Sequence, residues 1–187
     1  MLDRIERLIS SRATGKAIFI AFLFYAAVAA VLNRASHALE PKAGGAPVPD
    51  LHLAIREAEA HRIFGLYGEE GRRFYFQVIL FADTAYPLAY TCVLALLIAY
   101  LGRRVISVRS PLRHLCLMPL VAMIADYGEN IGLLTMCFNY PERWPILGMI
   151  TLICNSLKWT FVGASVFVSL ILFLVLGAKR LAVRETP

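Results

Sequence analysis

Four long apolar runs, over residues 17–32, 74–101, 115–138 and 145–177, constrain this chain more than any other feature. A helix needs roughly 20 apolar residues to cross a bilayer, and four such runs leave no room for a large separate soluble domain. Only 17% of the 187 residues are charged and 59% are hydrophobic, which places the composition outside the range of ordinary soluble domains. The expected fold is an all-α integral membrane protein: a four-transmembrane-helix bundle, a single membrane domain over 1–187, with an extracytoplasmic loop at 33–73. The second and fourth runs exceed the hydrocarbon thickness and are expected to tilt or project beyond it. Ser110-Pro111 reads as an N-cap with proline at the first helical position, and Pro145 after Arg143-Trp144 reads the same way, so these mark the starts of the third and fourth helices.

Charge sets the expected orientation. Before the first run stand Arg4, Arg7, Arg12 and Lys16; between the second and third stand Arg103, Arg104, Arg109 and Arg113; after the fourth stand Lys179, Arg180 and Arg184. Those eleven bases face only Asp3, Glu6 and Glu185, whereas loops 33–73 and 139–144 carry seven bases and seven acids. By the positive-inside rule both termini are cytoplasmic, with a plasma membrane, the inner membrane of a bacterium, as the expected location. The formal charge of +6 is this orientation signal together with contact to anionic lipid headgroups. It is not a nucleic-acid footprint, because no basic patch interleaved with aromatics accompanies it. Ser36-His37-Ala38 could pass for a signal-peptide cleavage site, but the preceding run is long for a signal peptide, and an uncleaved first helix is expected.

Residues 39–50, LEPKAGGAPVPD, read as an irregular connection. Asp50 then suits the N-cap of a short amphipathic helix over LHLAIREAEAHRIFG, with Leu51, Ile55, Ala58 and Phe64 on its apolar face. Such a helix would lie on the outer membrane surface or close over the bundle. Gly65 or Gly68 can end it, and Glu69-Glu70 fits the first turn of the helix that follows.

The chemistry lies inside the apolar runs. Asp83 falls in the second, Asp126 and Glu129 with Asn130 in the third, and Lys158 with Asn155 in the fourth. A charge at mid-helix costs roughly 2.5–3.5 kcal/mol on insertion, so four of them would cost on the order of 10 kcal/mol unless they face inward and find partners. Asp126, Glu129 and Asn130 are spaced i, i+3 and i+4, on one face of a helix. Gly128 and Gly132 form a G-x-x-x-G on an adjacent face, where another helix can approach closely. Counted at 1.5 Å per residue from the outer ends, Asp83, Glu129 and Asn130 are expected roughly 12–14 Å deep, and Asp126 and Lys158 about 18–20 Å deep. Lys158 is expected to pair with Asp126 or Glu129. In FADTAYPLAY, Pro87 lies four residues after Asp83, so it removes the bond to the Asp83 carbonyl and is expected to kink the helix there. An exposed carbonyl beside a carboxyl is tolerated only in a protein-lined or wet cavity. Tyr86, Tyr90 and Trp159 are the further candidate lining residues; core packing is the alternative role of Trp159. A satisfied internal network that only fixes helix packing is the competing reading of the whole cluster.

Other chemistry finds no support. His37, His52, His61 and His114 lie in loops or at a helix boundary, and Cys92, Cys116, Cys137 and Cys154 lie in the apolar runs without a C-x-x-C, so no metal or cofactor is expected. No phosphate-binding glycine loop, G-x-S-x-G or H-E-x-x-H occurs. Trp144, Tyr140 and Phe74-Tyr75-Phe76 read as anchors at the outer interface. The halves show no matched pair of broken helices, which argues against an inverted-repeat transporter.

In length, in the long loop after the first helix and in a helix with an acid shortly before a proline, the plan is similar to that of the four-helix sterol-isomerase and sigma-2-receptor type family. That resemblance implies a lipid-like or small amphipathic ligand held between helices; no residue is carried across on it. Three functions remain open: a pocket that binds such a ligand and could shuffle protons on it, a proton- or cation-linked transporter or channel subunit, and a non-catalytic membrane assembly or interaction protein. Membrane lipids are the expected partners. The oligomeric state is not legible.

Overall fold

In a computed structural model the chain is described over residues 1–39, 41–44, 46–49 and 53–184. Among the described residues, six α-helices follow in order: α1 (Leu2–Arg12), α2 (Gly15–Leu39), α3 (Glu57–Gln77), α4 (Ala85–Val105), α5 (Met118–Phe138) and α6 (Pro145–Arg184). A π-helix, Val78–Asp83, joins α3 to α4, and a 3-10 helix, Pro111–Leu117, leads into α5. Four stretches among the described residues are long and apolar enough to cross a membrane: Gly15–Leu39, Glu57–Val105, Pro111–Phe138 and Pro145–Leu181. These helices belong to one all-helical bundle, in which α6 packs along α5 and α4, and α2 along α4.

Local chemistry sets the boundaries. Ser110 is an N-cap whose hydroxyl accepts from the Leu112 N–H at 3.3 Å, with Pro111 next to it, and Pro145 opens α6. The turn that follows Ser110 is wound as a 3-10 helix, and the Leu115 carbonyl accepts from the Met118 N–H. α1 has no counterpart among the sequence expectations. It docks at the end of the bundle that carries the basic loops, where Ile9 packs against a buried cluster that includes Ile98, Cys116 and Leu172. Its buried Glu6 accepts from the Ser10 hydroxyl at 2.7 Å and lies 3.8 Å from Arg113, while Asp3 meets His114 at 2.8 Å.

At the other end, the connection between α2 and α3 turns inward. Leu39, Ala43 and Ile55 join Ile63, Phe64, Tyr67, Tyr75 and Leu133 in one buried cluster. The short helix expected from residue 51 begins at Glu57 instead; Asp50 and Leu51 lie outside the described residues. With that start its buried face is Ala60, Ile63 and Phe64, and Ala58 is exposed. Gly68 ends this first segment of α3 at φ 61° and ψ −170°, a left-handed value that suits glycine, and the helix resumes with Glu69. Tyr75 is fully buried and not a surface anchor. Tyr140 is engaged within the protein as well, with the Arg72 guanidinium 4.3 Å above its ring.

Arg143 clamps this end with a two-pronged contact to Glu57, at 2.8 and 2.6 Å. Glu57 lies ahead of the second apolar run, and the hydrogen bond from Arg143 holds its carboxyl below the ordinary value of 4.5. A depressed carboxyl pKa contributes stability above its unfolded value, and that contribution is lost as pH falls through the folded value. Arg143→Gln should therefore expose segment 41–49 to proteolysis at neutral pH. Wild-type protein should reach the same susceptibility only when pH drops below the ordinary carboxyl range, as followed by pepsin digestion in acid and trypsin digestion at neutral pH.

Candidate functional site

Asp83 closes the π-helix, where the wider winding shows in the side chain that follows: the Thr84 hydroxyl donates to the carbonyls of Leu80 at 2.8 Å and Ile79 at 3.3 Å. The Thr84 carbonyl accepts from the Tyr127 hydroxyl at 3.0 Å, which ties this irregular turn to α5. Asp83 itself is 6% exposed, and its Oδ2 accepts from the Asn130 amide at 2.6 Å.

Next to Asn130 on α5, Glu129 is wholly buried. Its Oε2 lies 2.5 Å from Lys158 Nζ and its Oε1 accepts from the Asn155 amide at 2.8 Å. Lys158 reaches Asp126 as well, at 3.6 Å, and the second oxygen of Asp126 accepts from the Tyr90 hydroxyl at 3.2 Å. Lys158 thus sits between both acids of α5 and does not choose one. The Asn155 carbonyl oxygen accepts from the Ala54 N–H at 2.7 Å, so the inward-turned loop touches the same network. Ala54 adopts φ 56° to do so, a conformation that L residues other than glycine rarely take. Taken together, Asp83, Asn130, Glu129, Asn155, Lys158, Asp126 and Tyr90 are drawn from four elements into one buried polar layer. Low dielectric strengthens each of its contacts and penalises any group left without one.

Beside this layer lies a cavity of about 500 Å³. That size suits a small organic molecule. Asp83, Tyr86, Tyr90, Asp126 and Lys158 are among its polar lining, as are Asn33 and Ser36 of α2, while Leu32, Ile79, Val93, Leu94 and Val162 are among its apolar lining. Glu129, Asn130 and Asn155 stand behind that wall, holding the acids and the lysine that face the space. Trp159 lines the cavity at 37% exposure, with Lys158 Nζ 5.3 Å from its ring centroid, so it is not packed in a closed core. Tyr86 contacts neither Asp83 nor Asp126 by hydrogen bond; its hydroxyl meets that of Tyr25 at 3.3 Å, and its ring lies edge-on to Tyr90 at 5.6 Å. Tyr25 and Phe22 of α2 complete an aromatic rim that sequence reasoning missed. The available signal was Tyr25 itself, a hydroxyl within an otherwise apolar run.

The arrangement can do two things chemically. Carboxyls within reach of phenol and ammonium groups can accept or return a proton, and two aspartates beside aromatic faces can hold a polar or cationic group. Comparison of the chain with protein families, curated proteins and solved structures gives no match in any of the three.

Proposed function

We propose that this chain is a multi-pass integral membrane protein, with both termini cytoplasmic, that binds a lipid-like or small amphipathic molecule in the cavity beside its buried acids. The observation that carries the reading is the polarity of the cavity: apolar over most of its wall, with Asp83 and Asp126 in its lining. An amphiphile fits such a space, its apolar body against Leu32, Val93 and Val162 and its polar or cationic head at the aspartates. The short helix opening α3 is then a cover on the extracytoplasmic side. Pro87 lacks the N–H that would close on the Asp83 carbonyl, and we attribute to it the wide winding that ends at Asp83, which turns that carboxyl toward the space. A carboxyl that holds a proton beside one that stays ionised would further allow proton transfer on the bound molecule, as in an isomerisation.

Native mass spectrometry of gently solubilised protein tests the reading. Wild type should retain a small molecule. A hydrogen bond to a charged group contributes about 1.5–3 kcal/mol, so Asp83→Asn should lower occupancy by about tenfold or more while leaving the chain folded. Glu129→Gln, which acts from behind the wall, should weaken retention less. Equal retention by all three proteins, or no retained molecule in the wild type across lipid extracts, would defeat the proposal.

A further inference from the structure

A second hollow shares no lining residue with the cavity beside the buried acids. It is a groove of about 440 Å³. α3 and the π-helix contribute two ladders of side chains at i, i+4 spacing, Arg72, Phe76 and Leu80 beside Arg73, Gln77 and Phe81, while Phe138 and Tyr140 come from the end of α5 and the turn after it. The rings of Phe76 and Phe138 lie 6.0 Å apart. Phe81 and Phe138 are each 76% exposed, so the apolar part of the groove is open to whatever surrounds the bundle. Arg72 is fixed at its loop end: Nη1 donates to the Phe64 carbonyl at 3.0 Å, and the guanidinium lies over the Tyr140 ring. A guanidinium has five N–H donors, and that hydrogen bond uses one of them. Arg73, next to it, is exposed.

We propose that this groove holds one anionic phospholipid, with its phosphodiester at Arg72 and Arg73 and one acyl chain along Phe76, Leu80 and Phe81. The inference rests on the membrane-spanning part of the reading above and not on the ligand of the central cavity. Height along the helix supports it. The second apolar run opens at Phe74, so the two arginines stand where hydrocarbon gives way to headgroups, and at 1.5 Å per residue Leu80 and Phe81 lie about 12 Å further in. Gln77 lies about 6 Å beyond Arg73, at the level of a glycerol ester whose carbonyl can accept from its amide. Phosphate, ester and hydrocarbon thus meet arginine, glutamine and apolar side chains in the same order. Charge selects the head. Glu69 shares the rim, which leaves two guanidinium groups against one carboxylate, and a single phosphodiester balances the difference. A head that carries its own ammonium group is neutral and would bring a further cation to a rim already positive; the hydroxyls of a glycerol head can instead donate to Glu69.

Native mass spectrometry of the full chain in mild detergent, titrated with equal amounts of dioleoylphosphatidylglycerol and dioleoylphosphatidylcholine, resolves the two adducts by mass. The first adduct should be the glycerol lipid, and Arg73→Gln should weaken it by about fivefold, the contribution of one basic residue near an anionic head. Arg73 is exposed, so this variant should keep the wild-type melting temperature. Phe81→Asn should weaken the same adduct through the chain. Arg109→Gln removes an equal charge from the exposed loop after α4 and should leave the adduct unaltered. Asp83→Asn, which the ligand reading expects to empty the central cavity, should leave it in place as well, and glycerophosphoglycerol, the head without its chains, should not compete. Equal affinity for both lipids, or an equal loss in Arg109→Gln, would overturn the proposal in favour of diffuse attraction. Competition by the bare head would overturn it in favour of a free anion, and loss in Asp83→Asn would move the lipid to the central cavity, leaving the ligand reading standing. A chain that stays monodisperse once detergent is removed would defeat the membrane reading itself.

Discussion

Lys158→Met should be the most damaging single substitution in the buried polar layer, lowering stability by about 3–5 kcal/mol, the usual loss when one partner of a buried ion pair is removed. The reason is what remains behind. Glu129 is 0% exposed and accepts from the Asn155 amide at 2.8 Å, and Asp126 accepts from the Tyr90 hydroxyl at 3.2 Å; both of these donors are neutral. Methionine matches the length of the lysine stem and fills its space, so the loss is electrostatic and not a cavity. The partner variant follows from the same account: Lys158→Met with Glu129→Gln removes the charge together with its counter-charge and should recover more than half of the loss. Thermal denaturation in detergent, run as a double-mutant cycle, separates the two. Additive losses would mean that Lys158 and Glu129 act independently, against the 2.5 Å contact between them.

How much of this was legible in the sequence depends on the range of the interaction that sets each feature. The apolar runs and the proline-marked helix starts at Pro111 and Pro145 are local, and they were readable. So was the shared face of Asp126, Glu129 and Asn130, because helical spacing alone fixes it. The start of α3 was not, since Asp50 is a good cap only if the chain is free to begin a helix there; Ile55 is drawn into the cluster with Leu39 and Ile63, and Arg56 is still extended at φ −97° and ψ 154°, so the helix begins at Glu57. α1 was passed over because its bases were read only as an orientation signal. Yet Ile5 and Ile9 lie four residues apart, with Asp3 in the first turn and Arg12 in the last, which is a helix signature with complementary ends. Which tyrosine meets which acid was out of reach. Tyr90 finds Asp126, and Tyr86 finds Tyr25, because a π-helix resets the phase of α4, and no spacing rule anticipates where the winding widens.

The contact that lets the acids of α5 meet the lysine of α6 is made by two glycines, and they should not be equally sensitive. A Cβ on Gly132 would stand 1.9 Å from Thr151 Oγ1, 3.1 Å from its Cβ and 3.3 Å from its Cγ2. Turning the threonine about its χ1 moves the first of these but not the second, so α5 and α6 must separate. A Cβ on Gly128 would meet Cys154 Sγ at 2.8 Å with the Cys154 Cβ at an ordinary 3.7 Å, and rotation of one thiol relieves it. Overpacking of this kind costs about 1–3 kcal/mol. Gly132→Ala should fall at the upper end of that range and Gly132→Val beyond it, while Gly128→Ala should cost clearly less. The separation has a second consequence: Asn155 and Lys158 follow Thr151 by one and two turns on α6, so moving that helix outward lengthens both contacts to Glu129. Gly132→Ala should therefore weaken ligand retention at the cavity as well as stability, and Thr151→Ala in the same chain should restore part of each. Measured melting temperatures that rank Gly128→Ala at or above Gly132→Ala would show that close approach of the two helices is not what brings Lys158 to its acids.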